Sequence, residues 1–389
     1  MSSSTTPLRL LIAAGGTGGH VLSAVAVIEE IRRRGLPVEM LWVGSHAGVE
    51  GEIARAQAVP FVAIQTGKLR RYLSIRTITD MLRIPIGVAQ AWRHVRAFRP
   101  DVIFSTGGAV SVPTVVAGAR FAPVLTHEQT AQVGIANRTA ARFARRFAVA
   151  FEETAQIARR YHDRVVVTGN PVRTSLAEGD RARAWERFGL AAEMPVLFVT
   201  GGARGASPLN QRIEALLPDL LERTQIVHQT GPATANDDAA RLRRKREGWP
   251  DHLQRRYVVQ EFLGPEIADV YAIASLVVGR AGAGTVSELA FLGMPAVLIP
   301  LPGTWGDEQR KNAQVLANAG AAIVIEQAAA TPERLRSEIV GLLDDAARRN
   351  AMAANARGVA RPDAAARLVD EILALAKAAG AARQEAVAT

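Results

Sequence analysis

Twice along the chain a short apolar run ends in Gly-Gly and passes directly into a helical pattern. Leu10-Leu11-Ile12-Ala13-Ala14 precedes Gly15-Gly16-Thr17-Gly18-Gly19-His20, and Val196-Leu197-Phe198-Val199-Thr200 precedes Gly201-Gly202-Ala203-Arg204-Gly205-Ala206. A run apolar at every position, not at alternate ones, is what a parallel strand covered by helices on both faces requires. Each opening starts a series of such runs separated by amphipathic stretches. The first predicts strands over Arg9–Ala14, Val38–Gly44, Phe61–Gln65, Asp101–Thr106, Val124–Glu128 and Val165–Gly169. The second predicts Pro195–Thr200, Ile226–Gln229, Val258–Phe262, Leu276–Gly279, Ala296–Pro300 and Ala321–Glu326. The fold class is α/β, built from two Rossmann-like, doubly wound parallel-sheet domains.

At 389 residues the chain exceeds what a single hydrophobic core usually supports. Gly169-Asn170-Pro171 continues neither strand nor helix, so the expected division is residues 1–175, 176–361, and a terminal helix over 362–389. That helix begins at Pro362, is expected to pack back on the first domain, and ends frayed.

The chain has no cysteine, which excludes thiolate metal sites, disulfides and thiol nucleophiles. Aromatic residues make up only 5%, too few for a protein that stacks single-stranded bases. No stretch reaches the ~18 apolar residues that cross a bilayer, so a cytosolic location is expected. The net charge of +10 is concentrated. Lys68, Arg70, Arg71, Arg76, Arg83, Arg93, Arg96 and Arg99 face one acid, Asp80, and are interleaved with Tyr72, Leu73, Ile75, Ile78, Met81, Leu82, Ile84, Ile86, Val88, Trp92, Val95 and Phe98. Such a basic amphipathic surface suits anionic lipid, or is an ordinary helix with a solvated basic face. Nucleic acid is excluded as a partner because no reader motif accompanies the patch.

In a doubly wound sheet, ligands sit outside the carboxyl ends of the strands, where glycines let backbone N–H groups approach phosphate. Gly201–Ala206 fits that role, with Arg204 adding a full charge. Neither glycine loop is the Gly-x-Gly-x-x-Gly dinucleotide fingerprint or a Gly-Lys-Ser/Thr phosphate loop, so hydride transfer and ATP hydrolysis lose support. A third loop, Arg280-Ala281-Gly282-Ala283-Gly284-Thr285-Val286-Ser287-Glu288, leads into a helix that Thr285 or Ser287 is expected to cap. Glu288 is read either as an acceptor for two ribose hydroxyls or as a capping acid. Pro302–Ala313 offers polar groups, Glu308 and Gln309 among them, suited to sugar hydroxyls.

Gly-Gly-Thr-Gly-Gly-His at 15–20, His-Glu-Gln at 127–129 with Gly134 and Asn137, Gly-Asn-Pro-Val-Arg at 169–173, the Gly-Gly-x-x-Gly-Ala loop and Thr-Val-Ser-Glu at 285–288 occur in this order. Together they resemble the MurG family, over about Leu8 to Gln327. The resemblance implies a GT-B fold with two domains facing a cleft. It also implies an inverting transfer of N-acetylglucosamine from UDP-GlcNAc to the C4 hydroxyl of MurNAc in lipid I, undecaprenyl-diphosphate-MurNAc-peptide, forming lipid II for peptidoglycan synthesis. On this reading the first domain faces the acceptor and the membrane, and the second holds UDP-GlcNAc. The enzyme is peripheral on the cytoplasmic face of the cell membrane, with cell-wall synthesis proteins as possible partners. The same likeness implies Thr17, Gly18, Gly19, Asn137 and Arg173 near sugar and diphosphates. Ala203, Arg204, Gly205, Ala283, Gly284, Thr285, Val286, Ser287 and Glu288 fall on the donor side, Leu263 at the uracil through its backbone, and Glu308 and Gln309 at the GlcNAc.

The sequence departs from the family where Ala203 replaces a serine, Ala109 an aromatic, Thr130 an asparagine and Glu308 a histidine or glutamine. The transfer needs a proton acceptor and stabilisation of the leaving diphosphate. His20 and Glu128 are the two candidates for the base. Helix N-termini with Arg204 stabilise the diphosphate without a metal or other cofactor. Two alternatives stay open: a related transferase acting on another lipid acceptor, and a non-catalytic nucleotide-sugar-binding partner of a cell-wall complex.

Overall fold

The computed structural model describes residues 7–46, 50–67 and 75–388. They divide into two compact units, one running to Arg173 and resuming at Arg361, the other spanning Thr174–Ala360.

The first unit is a seven-stranded sheet of β1 (Leu8–Ala14), β2 (Val38–Ser45), β3 (Phe61–Ile64), β4 (Val102–Gly107), β5 (Val124–Glu128), β6 (Arg146–Val149) and β7 (Val165–Val167). The order is β3-β2-β1-β4-β5-β6-β7, with every pair parallel. Strand order reverses between β1 and β4, so the switch point lies where Ala14 and Gly107 end their strands. Strand β6 is absent from the sequence pattern. Only Phe147, Ala148 and Val149 are apolar in it, and Arg142, Arg145 and Arg146 precede them. The sheet between β5 and β7 supplies the burial that the pattern lacks, and Phe147 is fully buried.

Apolar side chains pack on both faces of this sheet. One face holds Leu10, Ile12, Trp42 and Phe104 with Val25 and Ile28 of the helix Gly18–Arg33. The terminal helix Ala364–Ala388 completes that layer with Leu368, Val369, Ile372 and Leu375. Each such side chain contributes about 1.5–3 kcal/mol when fully buried. Arg34 pairs with Asp370 at 2.5 Å, and Arg146 pairs with Glu371. Gly169 lies under the start of this helix with φ +88°, where a Cβ would come within 2.6 Å of Arg361 Cβ and 2.9 Å of Ala364 Cβ. Glycine there serves close packing as well as the turn.

The second unit is a six-stranded parallel sheet of β8 (Val196–Thr200), β9 (Gln225–Gln229), β10 (Tyr257–Gln260), β11 (Ala274–Gly279), β12 (Ala296–Leu298) and β13 (Ala322–Val324). Its order, β10-β9-β8-β11-β12-β13, repeats the design, with the reversal between β8 and β11. The Gly201 loop leaves β8 and the Arg280 loop leaves β11, so both emerge at the switch point.

Candidate active site

In the first unit the chain leaves β1 through Gly15-Gly16 and enters the helix Gly18–Arg33 at an extended Thr17, whose side chain makes no capping bond. Gly15 packs on the buried Glu50, whose Oε1 would lie 2.5 Å from an added Cβ. At Gly108, with φ +82°, an added Cβ would come within 2.5 Å of the Gly15 carbonyl oxygen and 3.3 Å of the His20 ring. His20 sits in the first turn of the helix and is half-buried. Its Nδ1 lies 2.7 Å from the Thr106 carbonyl and 2.8 Å from Gln129 Oε1. Both are acceptors, so Nδ1 donates, and Nε2 is the nitrogen that carries the lone pair whenever the ring is neutral.

Glu128, the competing candidate, is placed differently. It is 2% exposed, and both oxygens accept hydrogen bonds. Oε1 receives Thr130 N (3.2 Å) and Thr130 Oγ1 (2.9 Å), and Oε2 receives Gly134 N (2.8 Å) and Asn137 Nδ2 (2.9 Å). Asn137, also 2% exposed, further donates to the His127 carbonyl at 3.1 Å and accepts from Thr126 Oγ1 at 3.1 Å. The carboxylate and amide expected at the chemistry hold the turn after β5 in shape. Thr130, standing where an asparagine was expected, is part of the same construction. Arg173 is half-buried at the end of the unit.

In the second unit Gly202 (φ +79°) and Gly205 (φ +70°) take conformations that side chains resist. A Cβ on Gly205 would stand 1.9 Å from the Thr230 carbonyl oxygen. Gly202 N donates to Thr200 Oγ1 at 3.0 Å, and Gln229 Nε2 donates to the Gly202 carbonyl at 3.0 Å. Ala203 and Arg204 stand exposed at the loop tip, before the helix Ser207–Glu214.

The helix after β11 runs Ala283–Leu292 with Gly282 as its N-cap and no side-chain capping bond. Thr285 and Ser287 lie inside that helix, so neither caps it. The glycine turn brings the chain in one residue before Ala283, earlier than the position of the hydroxyls suggests. Tyr271 Oη donates to Glu288 Oε2 at 3.2 Å, and Leu263 is buried just beyond β10. Glu308 opens the helix Glu308–Asn318 after Asp307, whose φ is +54°. Gln309 Oε1 receives Ala281 N (3.2 Å) and Leu301 N (3.0 Å), tying the two loops together.

Arg280 escaped the sequence reading. It is 5% exposed, with Nη1 donating to the carbonyls of Ile299 (2.9 Å) and Pro300 (3.2 Å) and Nη2 to Gln327 Oε1 (2.6 Å). Burial, reinforced by Arg212, lowers its pKa. Neutral oxygens accept from both Nη atoms without cancelling its charge, and Nε is buried without a hydrogen-bond partner, which suits an anion at the end of β11. An arginine at the carboxyl end of an apolar strand was the available signal. Among the described residues, no three His, Asp or Glu side chains are grouped to hold a metal ion.

Beneath the Gly201 loop lies a buried polar chain. His228 Nδ1 lies 2.9 Å from Tyr257 Oη and its Nε2 3.0 Å from Asn210 Oδ1, while Asn210 Nδ2 donates to the Thr230 carbonyl and to Asp238. Burial lowers the pKa of His228 to about 3 and that of His127 to about 4. Each unfolded imidazole titrates near 6.5, so below that pH the unfolded chain binds the extra proton. Stability is therefore full above pH 6.5 and falls as pH drops toward the folded values. From pH 7.5 to 5.0 each histidine is expected to cost roughly 2 kcal/mol. Urea midpoints at the two pH values check this, and unchanged midpoints would contradict it.

The basic segment falls partly outside the described residues, which omit Lys68, Arg70, Arg71, Tyr72 and Leu73 and the side chains of 75–82. From Arg83 onward it is one face of the helix Ile75–Phe98, continuous through Pro85. Arg83, Ile86, Trp92, Arg93 and Arg96 are exposed, while Ala91 and Val95 enter the core. The Arg96 guanidinium lies over the Trp92 ring at 5.2 Å, and Trp92 meets Phe121 edge-on.

Two parallel sheets, each with glycine-rich turns at its switch point, define the GT-B class of nucleotide-sugar transferases. Residues 10–149 match the glycosyltransferase family 28 N-terminal domain, and residues 196–368 match the family's C-terminal domain. The chain belongs to glycosyltransferase family 28. It is 35% identical over 375 residues to the UDP-N-acetylglucosamine--N-acetylmuramyl-(pentapeptide) pyrophosphoryl-undecaprenol N-acetylglucosamine transferase of Listeria monocytogenes, covering 95% of this chain and 100% of that protein. The Levilactobacillus brevis protein of the same name is 34% identical over 370 residues, covering 95% and 99%. The crystal structure of Acinetobacter baumannii MurG superposes with a TM-score of 0.69 at 30% identity, covering 94% of this chain and 99% of that one. A kitacinnamycin glycosyltransferase, at 18% identity and a TM-score of 0.64, shares the fold and covers 95% of this chain and 100% of its own.

Proposed function

We propose that this enzyme transfers N-acetylglucosamine from UDP-GlcNAc to the C4 hydroxyl of MurNAc in lipid I, with inversion at the anomeric carbon. The observation that carries the chemistry is His20, whose Nδ1 is committed to two acceptors while Nε2 remains basic. Nε2 takes the proton of the attacking hydroxyl as the new C–O bond forms and the bond to UDP breaks. The negative charge that develops on the diphosphate meets the N–H groups of Gly201–Ala206, Arg204 and the uncompensated guanidinium of Arg280. Glu288 takes the ribose hydroxyls, Leu263 faces the uracil, and Gln309 with Glu308 faces the sugar, with Ala283–Ser287 supplying the helix N-terminus. On the acceptor side Thr17, Gly18 and Gly19 bind the lipid diphosphate, with Arg173 adding charge. Glu128 and Asn137 hold the loop that flanks His20.

The lipid-linked acceptor requires the first unit to meet a membrane surface. Among the described residues no helix is long and apolar enough to cross one. The exposed Ile86 and Trp92 among Arg83, Arg93 and Arg96 provide apolar insertion with cationic attraction, each cation near anionic lipid contributing about 1 kcal/mol. The test presents radiolabelled UDP-GlcNAc and purified lipid I in anionic vesicles, and transfer with salt-sensitive flotation is expected. UDP-GlcNAc binding without transfer to lipid I would overturn this acceptor. Failure to float at low salt would overturn the membrane contact.

A further inference from the structure

We propose that His127 and Gln129 are positioning residues that, with the Thr106 carbonyl 2.7 Å from His20 Nδ1, fix the His20 ring with Nε2 as the nitrogen able to accept a proton. The inference rests on His20 as the base and adds the reason it is competent. It starts from a carbonyl, which can only accept. His127 Nε2 lies 3.0 Å from the Gly169 carbonyl, so Nε2 carries the His127 proton and Nδ1 is left with a lone pair. Gln129 Nε2 lies 3.3 Å from that Nδ1 and 2.6 Å from the Thr106 carbonyl, and donates to both. The Gln129 amide can then face only one way, with Oε1 toward His20 Nδ1 at 2.8 Å. His20 Nδ1 must donate, and the lone pair falls on Nε2.

Reversing any member breaks several contacts together. A flipped Gln129 amide would set Oε1 against the Thr106 carbonyl and against the bare Nδ1 of His127. It would also present an NH2 group to the Nδ1–H of His20 that the Thr106 carbonyl holds, setting donor against donor. All of this occurs out of water, since Thr106 and His127 are 0% exposed and Gln129 is 2% exposed. Buried groups left unsatisfied cost more than the bonds contribute, so the arrangement is a single state. His127 stays neutral well below neutrality because burial lowers its pKa to about 4, with His20 a lesser cause in the same direction. The other carboxylate nearby, Glu128, is turned to Gly134 and Asn137 and does not compete for His20. The chain of bonds begins at Gly169, four residues before the first unit ends at Arg173.

The test uses the full chain labelled with 15N-histidine, the His20 signals being assigned by their loss in His20→Gln. Long-range 1H–15N spectra at pH 7.5 are expected to show the Nδ1–H form for His20 and the Nε2–H form for His127. Gln129→Met removes the donor and acceptor at similar volume. The Thr106 carbonyl still accepts from Nδ1, so His20 is expected to keep its Nδ1–H form while its ring loosens, lowering kcat about tenfold with KM for UDP-GlcNAc within about twofold. Gln129→Glu restores an acceptor for Nδ1 but adds a charge, and is expected to move the acid limb of the kcat/KM profile upward by about one pH unit. Unchanged kcat and pH profile in both variants would overturn the relay. If Gln129→Met does not fold, the unsubstituted protein decides: a predominant Nε2–H form of His20 overturns the proposal. Full turnover in His20→Gln would sink the base assignment, whereas the spectra test the relay independently of it.

Discussion

Replacing His20 with alanine is expected to lower kcat by about 10²–10⁴-fold while UDP affinity stays within about twofold. The expectation comes from where its bonds lie. Among the described residues the His20 side chain bonds Thr106 and Gln129, both within the first unit, whereas the loops assigned to UDP leave β8 and β11 of the second. Loss of the imidazole removes the proposed proton acceptor without touching the groups proposed to meet the diphosphate. The backbone of the Gly15 loop is held independently, by Gly15 on Glu50 and by the Val21 N–H donating to the Thr17 carbonyl at 3.3 Å. Steady-state kinetics with lipid I and calorimetry with UDP separate the two quantities. Retained turnover would remove His20 from the base role, and Glu128 could not inherit it without giving up its bonds to Thr130, Gly134 and Asn137.

Gly205→Ala is expected to weaken UDP binding at least tenfold and to destabilise the second unit by roughly 2–4 kcal/mol. The new methyl would stand 1.9 Å from the Thr230 carbonyl oxygen and 2.7 Å from Gly231 Cα, at a φ of +70°. These are backbone atoms, and they cannot rotate away. Thr230 is pinned in turn by Asn210 Nδ2 at 2.9 Å and by its own N–H to the Gln260 carbonyl at 2.9 Å. The clash is therefore relieved by moving the glycine loop, which is the part proposed to meet the phosphates. Gly202→Ala is the control. It has a similar positive φ of +79° but open space around its Cβ, so only the backbone strain of about 1–2 kcal/mol remains. Denaturation curves and UDP titrations of the pair make the comparison, and a Gly205→Ala protein that binds UDP normally would refute the cradle.

Most of the fold was legible because parallel strands buried on both faces carry their signature locally. The uninterrupted apolar runs at Leu10–Ala14 and Val196–Thr200, each closed by Gly-Gly, need no knowledge of their neighbours. Strand β6 failed that test, since its four residues with Arg146 at the start become a strand only through partners on both sides. The helix start at Ala283 was misjudged for a related reason. Thr285 and Ser287 are good caps by type, but the turn geometry of Gly282 had already begun the helix.

What the sequence by itself determined was the class of fold, the glycine turns at the carboxyl ends of the strands and the residue types available for proton transfer and anion binding. Those properties depend on backbone sterics and on periodicity, which act over a few residues. Only the tertiary structure showed which atoms of the two candidates are engaged by internal bonds. His20 meets Thr106 and Gln129 across separations of 86 and 109 residues, and Glu128 is filled by bonds that form only once the turn after β5 has closed. Proton location and carboxylate availability follow from which acceptors and donors converge in a buried space, and that convergence is a property of the folded chain.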